Sequence, residues 1–383
     1  MKILAIETSC DETGVCLMDA SGTFGTDFRY TILGDALLSQ VAVHAPFGGV
    51  YPNLAKREHE HNLVPVLTEC LTKASALAPG NGGTFDTTLL DREPTLAGLL
   101  STFLSIYARP QIDAIAVTTG PGLEPALWVG INFAKALAQA WNLPLVAVNH
   151  MEGHVLIAAA TEDSVVPIEF PALSLLVSGG HTELVLSREW GDYTVVGSTR
   201  DDAAGEAFDK SARLLGLPYP GGPEISKLAS LARAENILSE ITLPRPMLHE
   251  KSFDFSFSGL KTAVRREVER LQPLSDTQKK MFAREVEDAI VEVLVAKTAH
   301  AAEEYAAQTI IVGGGVSANG YLKSAIHTRL DSLGLVLFPT PDLATDNARM
   351  IAFAGYYHAE RGEFADPSLV RAQGGLKIGA STT

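Results

Sequence analysis

The chain of 383 residues is poor in cysteine and in positive charge. Its three cysteines, Cys10, Cys16 and Cys70, are too few for a disulfide framework and show no CxxC spacing, so reduced thiols in a cytosolic setting are expected. Lys and Arg number 30 against 45 Asp and Glu, a net charge of −15. That balance excludes a generally basic nucleic-acid coat and charge-driven attachment to a membrane, though not a local basic patch. No apolar run approaches the roughly 20 residues of a membrane span. The run before Glu7 is only about four residues, too short for a secretory signal. A cytoplasmic protein with no membrane partner is therefore expected. The phosphate-binding patterns GxxxxGK[ST] and GxGxxG are also missing. What the chain does have is a globular mixture, 46% hydrophobic and 20% charged, punctuated by 33 Gly and 20 Pro. Its length suits about two or three domains.

The hydrophobic pattern runs through one sequence of elements and then repeats it. KILAIE (2–7) reads as a buried strand, the turn TSCDETG follows, and a second strand lies at 14–18. This predicts a hairpin whose tip carries Thr8, Ser9, Asp11, Glu12 and Thr13. A helix over 51–78 comes next, then a turn-rich stretch at 79–107 that reads as an exposed insertion. Strand and turn follow at 112–122, a helix at 124–141, a strand at 143–150 and a helix from 150. From residue 172 the order restarts: strands at 172–187 and 193–198, helices to 307, strand and glycine turn at 309–315, a strand at 335–340, and a closing helix at 345–361. The repeat predicts an α/β protein of two lobes with a ligand cleft between them. The first lobe spans 1–150 and is completed by 345–383; the second spans 151–344.

Three glycine turns stand at predicted strand ends: Gly120-Pro121-Gly122, Ser178-Gly179-Gly180, and Gly313-Gly314-Gly315. Glycine lets a backbone approach a ligand closely, and successive N–H groups cradle anions, so together they suggest a phosphate or nucleotide site. Asp209, Gly222 and Asn319 are polar or glycine positions that could line it, although Asp209 could equally pair with Lys210. The sharpest local signal is His150-Met-Glu-Gly-His154. Histidines at i and i+4 share one helix face and suit a single metal ion. Glu152, about 200° around the helix from His150, points elsewhere, so the arrangement is not that of a metalloprotease whose glutamate acts as general base. Asp346 is the candidate third ligand. Two imidazoles and a carboxylate suit Fe(II) and are compatible with Zn(II). His59 and His61, in a charged helical stretch, read as solvated surface.

These motifs, IETSCDETG (6–14), HMEGH (150–154), LLVSGGHTELV (175–185), DDAAGEAFDKSARLLGLPYPGGP (201–223), FDFSFSGLKT (253–262), GGGVSANGYL (313–322) and TDNARMIA (345–352), resemble in order the TsaD family of tRNA threonylcarbamoyladenosine-forming transferases. The resemblance implies two actin-like, RNase H-like lobes. It implies transfer of a threonylcarbamoyl group from threonylcarbamoyl-AMP to the exocyclic amine of the adenosine 3′ of the anticodon, in tRNAs reading codons that begin with A. It implies one metal, iron by family precedent, on His150, His154 and Asp346. It implies substrate contacts by Leu176, Val177, Ser178, Gly179, Gly180, Asp209, Gly222 and Asn319, and catalytic acids at Asp11 and Glu12. Leu176 is the bacterial residue where another branch carries tyrosine. Implied partners are tRNA, a degenerate TsaB-like paralogue and a small TsaE-like P-loop ATPase. Lys251, Lys261, Arg265 and Arg266, with Lys56 and Arg57, are candidate tRNA contacts. Two other readings fit the pattern: an ATP-dependent kinase or chaperone on the same fold, and a non-catalytic scaffold.

Overall fold

The computed structural model describes residues 1–382. The chain divides into two compact units. One comprises residues 1–44, 50–167 and 346–383; the other comprises 45–49 and 168–345. The first boundary therefore differs from the expected one, because 151–167 stays with the first unit. The reason is packing: the helix His150–Ile157 lies on the helix Ala348–Glu360, which also covers that unit's sheet.

The first sheet runs β3-β2-β1-β4-β5, with β1 Lys2–Glu7, β2 Glu12–Ser21, β3 Arg29–Ser39, β4 Ala114–Gly120 and β5 Leu145–Asn149. β1 pairs antiparallel with β2 and parallel with β4. Helices Pro52–Lys73 and Glu124–Trp141 pack together on the sheet, as does Ala348–Glu360. Strands covered on both faces need apolar residues on both, which is why residues 3–7 and 114–120 are buried without alternation. Strand β3, at the edge, was not anticipated, since its apolar residues Ile32, Leu33, Leu37 and Leu38 fall in adjacent pairs and do not alternate. The hairpin's turn is shorter than expected, because Glu12 and Thr13 already belong to β2.

Residues 79–107 are not a bare exposed loop. Helix Pro94–Ile106 buries Leu96, Leu100, Phe103 and Leu104 in the core that also holds Trp141 and Leu67.

The second unit repeats the plan. Its sheet, β10-β9-β6-β7-β8, is built from β6 Ala172–Val177, β7 Thr182–Glu189, β8 Asp192–Ser198, β9 Thr309–Gly313 and β10 Leu335–Leu337. Read from the opposite edge, the strand order by chain position is that of the first sheet. Phe208, Phe255, Phe257, Phe282 and Leu294 fill its core. The expected pair of α/β units is thus present. Among the described residues no helix is long and apolar enough to cross a membrane.

Candidate active site

Two asparagine caps set the metal-type cluster. Asn149 ends β5, and its side chain accepts from the backbone N–H of Met151 and Glu152, which starts the helix at His150. Asn347 accepts from the N–H of Met350 and starts the helix Ala348–Glu360 one residue after Asp346. Gly153 lets the two helices approach, since a Cβ there would lie 3.1 Å from the Met350 carbonyl oxygen. His150 Nε2 and His154 Nε2 then stand 3.3 and 3.1 Å from the same oxygen, Asp346 Oδ1. The three candidate ligand atoms all lie within 4.8 Å of one another, and both imidazoles are buried. Two nitrogens and a carboxylate oxygen, converging away from bulk water, are a donor set that fits one divalent cation.

Glu7 is the residue that sequence reasoning missed, although it stands in the IETSCDETG motif. It is wholly buried at the end of β1. Its Oε1 accepts from the Ser9 N–H, and its Oε2 accepts from Thr118 Oγ1 at 2.6 Å and faces His150 Nδ1 at 3.1 Å. A carboxylate only accepts, so Nδ1 donates to Glu7, and Nε2, which faces Asp346, is the nitrogen a bound cation would meet. Burial alone would hold His150 neutral, but Asp346 and Glu7 on either side raise its pKa well above the usual value. Burial likewise works against the Asp346 anion, yet His150 and His154 hold its carboxyl far below the ordinary carboxylate range. The pocket is built for positive charge.

Glu152 turns away, as its angular position predicts. Its Oε2 lies 2.7 Å from His358 Nε2, and His358 Nδ1 lies 2.7 Å from Glu363. Burial opposes the charge on His358, but the two carboxylates push its pKa up to about 9. Glu152 is thus committed to an ion pair.

The hairpin tip docks on the start of the helix Glu124–Trp141, where the Leu123 N–H donates to the Ser9 carbonyl at 2.7 Å and Thr8 Oγ1 donates to the Ala126 carbonyl at 3.1 Å. Asp11 is buried; Glu12 is half-buried and its carboxylate accepts from Ser39 Oγ at 3.3 Å. Burial, with the negative charges of Asp11 and Asp346, pushes the Glu12 carboxyl up to about 10. Glu12 is therefore within electrostatic reach of Asp346. His59, expected on the surface, is fully buried and contacts this hairpin; His61 is exposed.

In the second unit, the β6 end and the β9 end pair side by side, Leu176 opposite Gly313. This brings the turns 178–180 and 313–315 together. Gly314 has φ of +86°, and a Cβ there would stand 2.5 Å from the Val177 carbonyl oxygen, so this position requires glycine. A Cβ added at Gly179, Gly180 or Gly315 would meet open space. Ser178 closes its own turn, exchanging bonds with His181. Leu176 and Val177 are fully buried, so their side chains frame the turn from beneath. Asp209 accepts from the Gly221 N–H at 2.7 Å, beside Gly222, and Lys210 pairs instead with Asp202 and Glu206. Asn319 caps the helix Gly320–Leu330 through Leu322 N–H, while its amide donates to buried Glu287 at 2.7 Å.

Of the basic candidates, Lys251, Arg265 and Arg266 are exposed and Lys261 is half-buried. Lys56 is engaged with Glu60, Glu93 and the Arg92 carbonyl. Asp201 accepts from the N–H groups of Phe257 and Ser258 and from the hydroxyls of Ser256 and Ser258, fastening the start of the basic helix Ser258–Leu271.

Comparison with known proteins follows the same residues. The family model described as TsaD, tRNA N6-adenosine threonylcarbamoyltransferase, matches residues 31–78 and 105–353 and passes over 79–104. A tRNA N6-adenosine threonylcarbamoyltransferase of Ralstonia pickettii is 45% identical over 377 residues, covering 97% of this chain and 94% of that protein. One of Thermomicrobium roseum is 43% identical over 397 residues, covering 96% of this chain and 95% of its own. Among solved structures, HypF of T. kodakarensis superposes with a TM-score of 0.51 at 12% identity, over 94% of this chain and 49% of that one, a likeness of fold alone.

Proposed function

Because the chain belongs to the TsaD family of tRNA N6-adenosine threonylcarbamoyltransferases, and is thus a transferase that modifies tRNA, we propose that it takes the threonylcarbamoyl group from threonylcarbamoyl-AMP and places it on the exocyclic amine of the adenosine 3′ of the anticodon, in tRNAs reading codons that begin with A. The observation that carries this reading is the convergence of His150, His154 and Asp346, both imidazoles buried, with Glu12 within electrostatic reach of Asp346.

His150, His154 and Asp346 hold one divalent ion, Fe(II) in our assignment with Zn(II) the alternative. When bound, that ion supplies positive charge that polarises an oxygen and offsets developing negative charge. Glu7 fixes the His150 ring from behind. The turns 178–180 and 313–315, with Asp209, Gly222 and Asn319, hold the adenylate through backbone N–H groups. The donor is a mixed anhydride with AMP as a good leaving group, so no serine or cysteine nucleophile is needed. Positioning the amine against it supplies on the order of 7–11 kcal/mol. Asp11 takes the proton the amine releases, since the Glu12 carboxyl, pushed up to about 10, already holds its own at neutral pH. Buried Ser9 and Ser317 hydroxyls without hydrogen-bond partners, one beside the acids and one beside the glycine turn, are in keeping with ligand groups at both places. Lys251, Lys261, Arg265 and Arg266 receive tRNA phosphates. A TsaB-like paralogue and a TsaE-like ATPase complete the working assembly, and its setting is the cytoplasm.

The test is incubation of the metal-loaded protein with threonylcarbamoyl-AMP and unmodified tRNA, followed by nucleoside mass analysis. Modified adenosine at the position 3′ of the anticodon is expected. ATP turnover without modified nucleoside, in the presence of both partner proteins, would sink the reading.

A further inference from the structure

Behind the acidic hairpin lies a chain of buried, neutral polar side chains that the transfer reaction does not itself call for. His59, from the helix Pro52–Lys73, is wholly buried, as are Thr13, Gln40 and His44. His59 Nε2 stands 3.0 Å from the Cys10 carbonyl oxygen, and Nδ1 stands 2.8 Å from Thr13 Oγ1. A carbonyl only accepts, so Nε2 carries the proton; Nδ1 must then accept, and the Thr13 hydroxyl donates to it. The same logic runs outward. The Tyr51 N–H donates to His44 Nδ1 at 3.3 Å, so His44 Nε2–H donates to Gln40 Oε1 at 3.1 Å. That turns the Gln40 amide nitrogen against the His59 ring, 3.3 Å from Nδ1 and 3.4 Å from Nε2. The Gln40 backbone N–H also donates to the Asp11 carbonyl at 2.9 Å. His59 satisfies both of its hairpin partners only as the neutral Nε2–H tautomer, with the Thr13 hydroxyl filling the one lone pair on Nδ1.

Residues 10 and 13 bracket the two acids. A ring that grips both from opposite nitrogens takes away the hairpin's freedom to rock, and Gln40 adds a third hold at Asp11. An apolar side chain of similar volume would fill this space without the cost of burying polar groups, so packing alone does not account for the network. We propose that His59 is a positioning residue for transfer: its neutral imidazole clamps Cys10 and Thr13 and so fixes the direction of Asp11 and Glu12, with Gln40 and His44 holding the ring. This rests on the reading that those acids act in the reaction.

The experiment compares His59→Ala, His59→Gln, His59→Asn and Thr13→Val with Asp11→Asn and Glu12→Gln in one complete transfer mixture, measuring kcat, KM for threonylcarbamoyl-AMP and bound metal. Glutamine places an amide where Nε2 was and keeps the Cys10 contact; asparagine keeps the Thr13 contact. A displacement of about 1 Å costs roughly a hundredfold. The expected result is a kcat loss of that order for His59→Ala, partial recovery in His59→Gln, and unchanged KM and metal content. Nitrogen-15 NMR of the unaltered protein gives a second readout that needs no variant to fold: a neutral His59 ring protonated on Nε2 at pH 7. Wild-type kcat in His59→Ala, or a ring protonated on Nδ1 or on both nitrogens, overturns the proposal. If Asp11→Asn and Glu12→Gln both transfer at the wild-type rate, the assignment of the acids fails instead. Inactive acid variants beside a fully active His59→Ala condemn the clamp alone.

Discussion

The two units lay five strands in the same order and put their site residues at equivalent places, the turn of the first hairpin and the end of the strand beside it. In the first unit these places carry Asp11, with Glu12 opening β2, and Gly120–Gly122 at the end of β4, where the 373–376 segment covers the turn. In the second they carry Ser178–Gly180 after β6 and Gly313–Gly315 after β9. The first unit adds a buried cluster of opposite charges, Glu7, His150, His154 and Asp346. The second offers glycine backbone and helix N-termini, with no titratable group inside its turns. One topology thus yields a place that wants a cation and a place suited to an anion. The difference lies in side chains presented by the same scaffold.

The comparison breaks most sharply at the cation end. His154→Ala should empty the metal site and slow transfer about a thousandfold, the equivalent of several kcal/mol of charge stabilisation. Metal analysis and nucleoside counting check it together; full metal and full transfer would defeat the assignment. In the unaltered protein, metal at about 100 times its Kd should stabilise the first unit by about 2.7 kcal/mol. Hydrogen exchange should show the protection over 148–157 and 346–360 and not over 172–186.

The basic helix of the second unit comes next. If about six phosphates are neutralised, tRNA affinity should fall roughly a thousandfold between 50 and 200 mM salt. Replacing Arg265 and Arg266 with alanine should flatten that slope by about two units. A slope that the double substitution leaves untouched would move the tRNA elsewhere on the molecule.

Glu7→Gln keeps the shape of the carboxylate and removes its charge. Metal affinity should weaken by about 10- to 100-fold, as for other groups that orient a ligating histidine. Competition with a chelator measures it.

The smallest effect concerns Asp201. Partial burial works against its charge, but bonds from Ser256, Ser258 and Phe257 hold its carboxyl below the usual value. A depressed carboxylate contributes its stability above the unfolded pKa, near 4, and loses it as pH falls through the folded value. Amides at the start of the helix Ser258–Leu271 should therefore open more readily near pH 3 than at pH 6, and Asp201→Asn should abolish the difference.

Much of this was readable along the chain. The helix at 124–141, the strand–turn–strand at 172–187 and the HMEGH pair announce themselves because apolar periodicity and i, i+4 spacing are local properties. Edge strand β3 was not readable, since its apolar residues come in adjacent pairs and break the period-2 alternation that marks a strand. The segment 79–107 misled because its turn residues hide the buried face of Pro94–Ile106.

By itself, the order of residues determined the repeated α/β plan, the HxxxH pair and the glycine turns, for each depends on neighbours within a few positions. Only the tertiary structure decided that Glu7 backs His150 across 143 positions and that His59 lies buried against Cys10 and Thr13. A lone glutamate or histidine has no period. Its protonation and its role depend on which groups the folded chain brings to within about 3 Å, and on the water that folding removes.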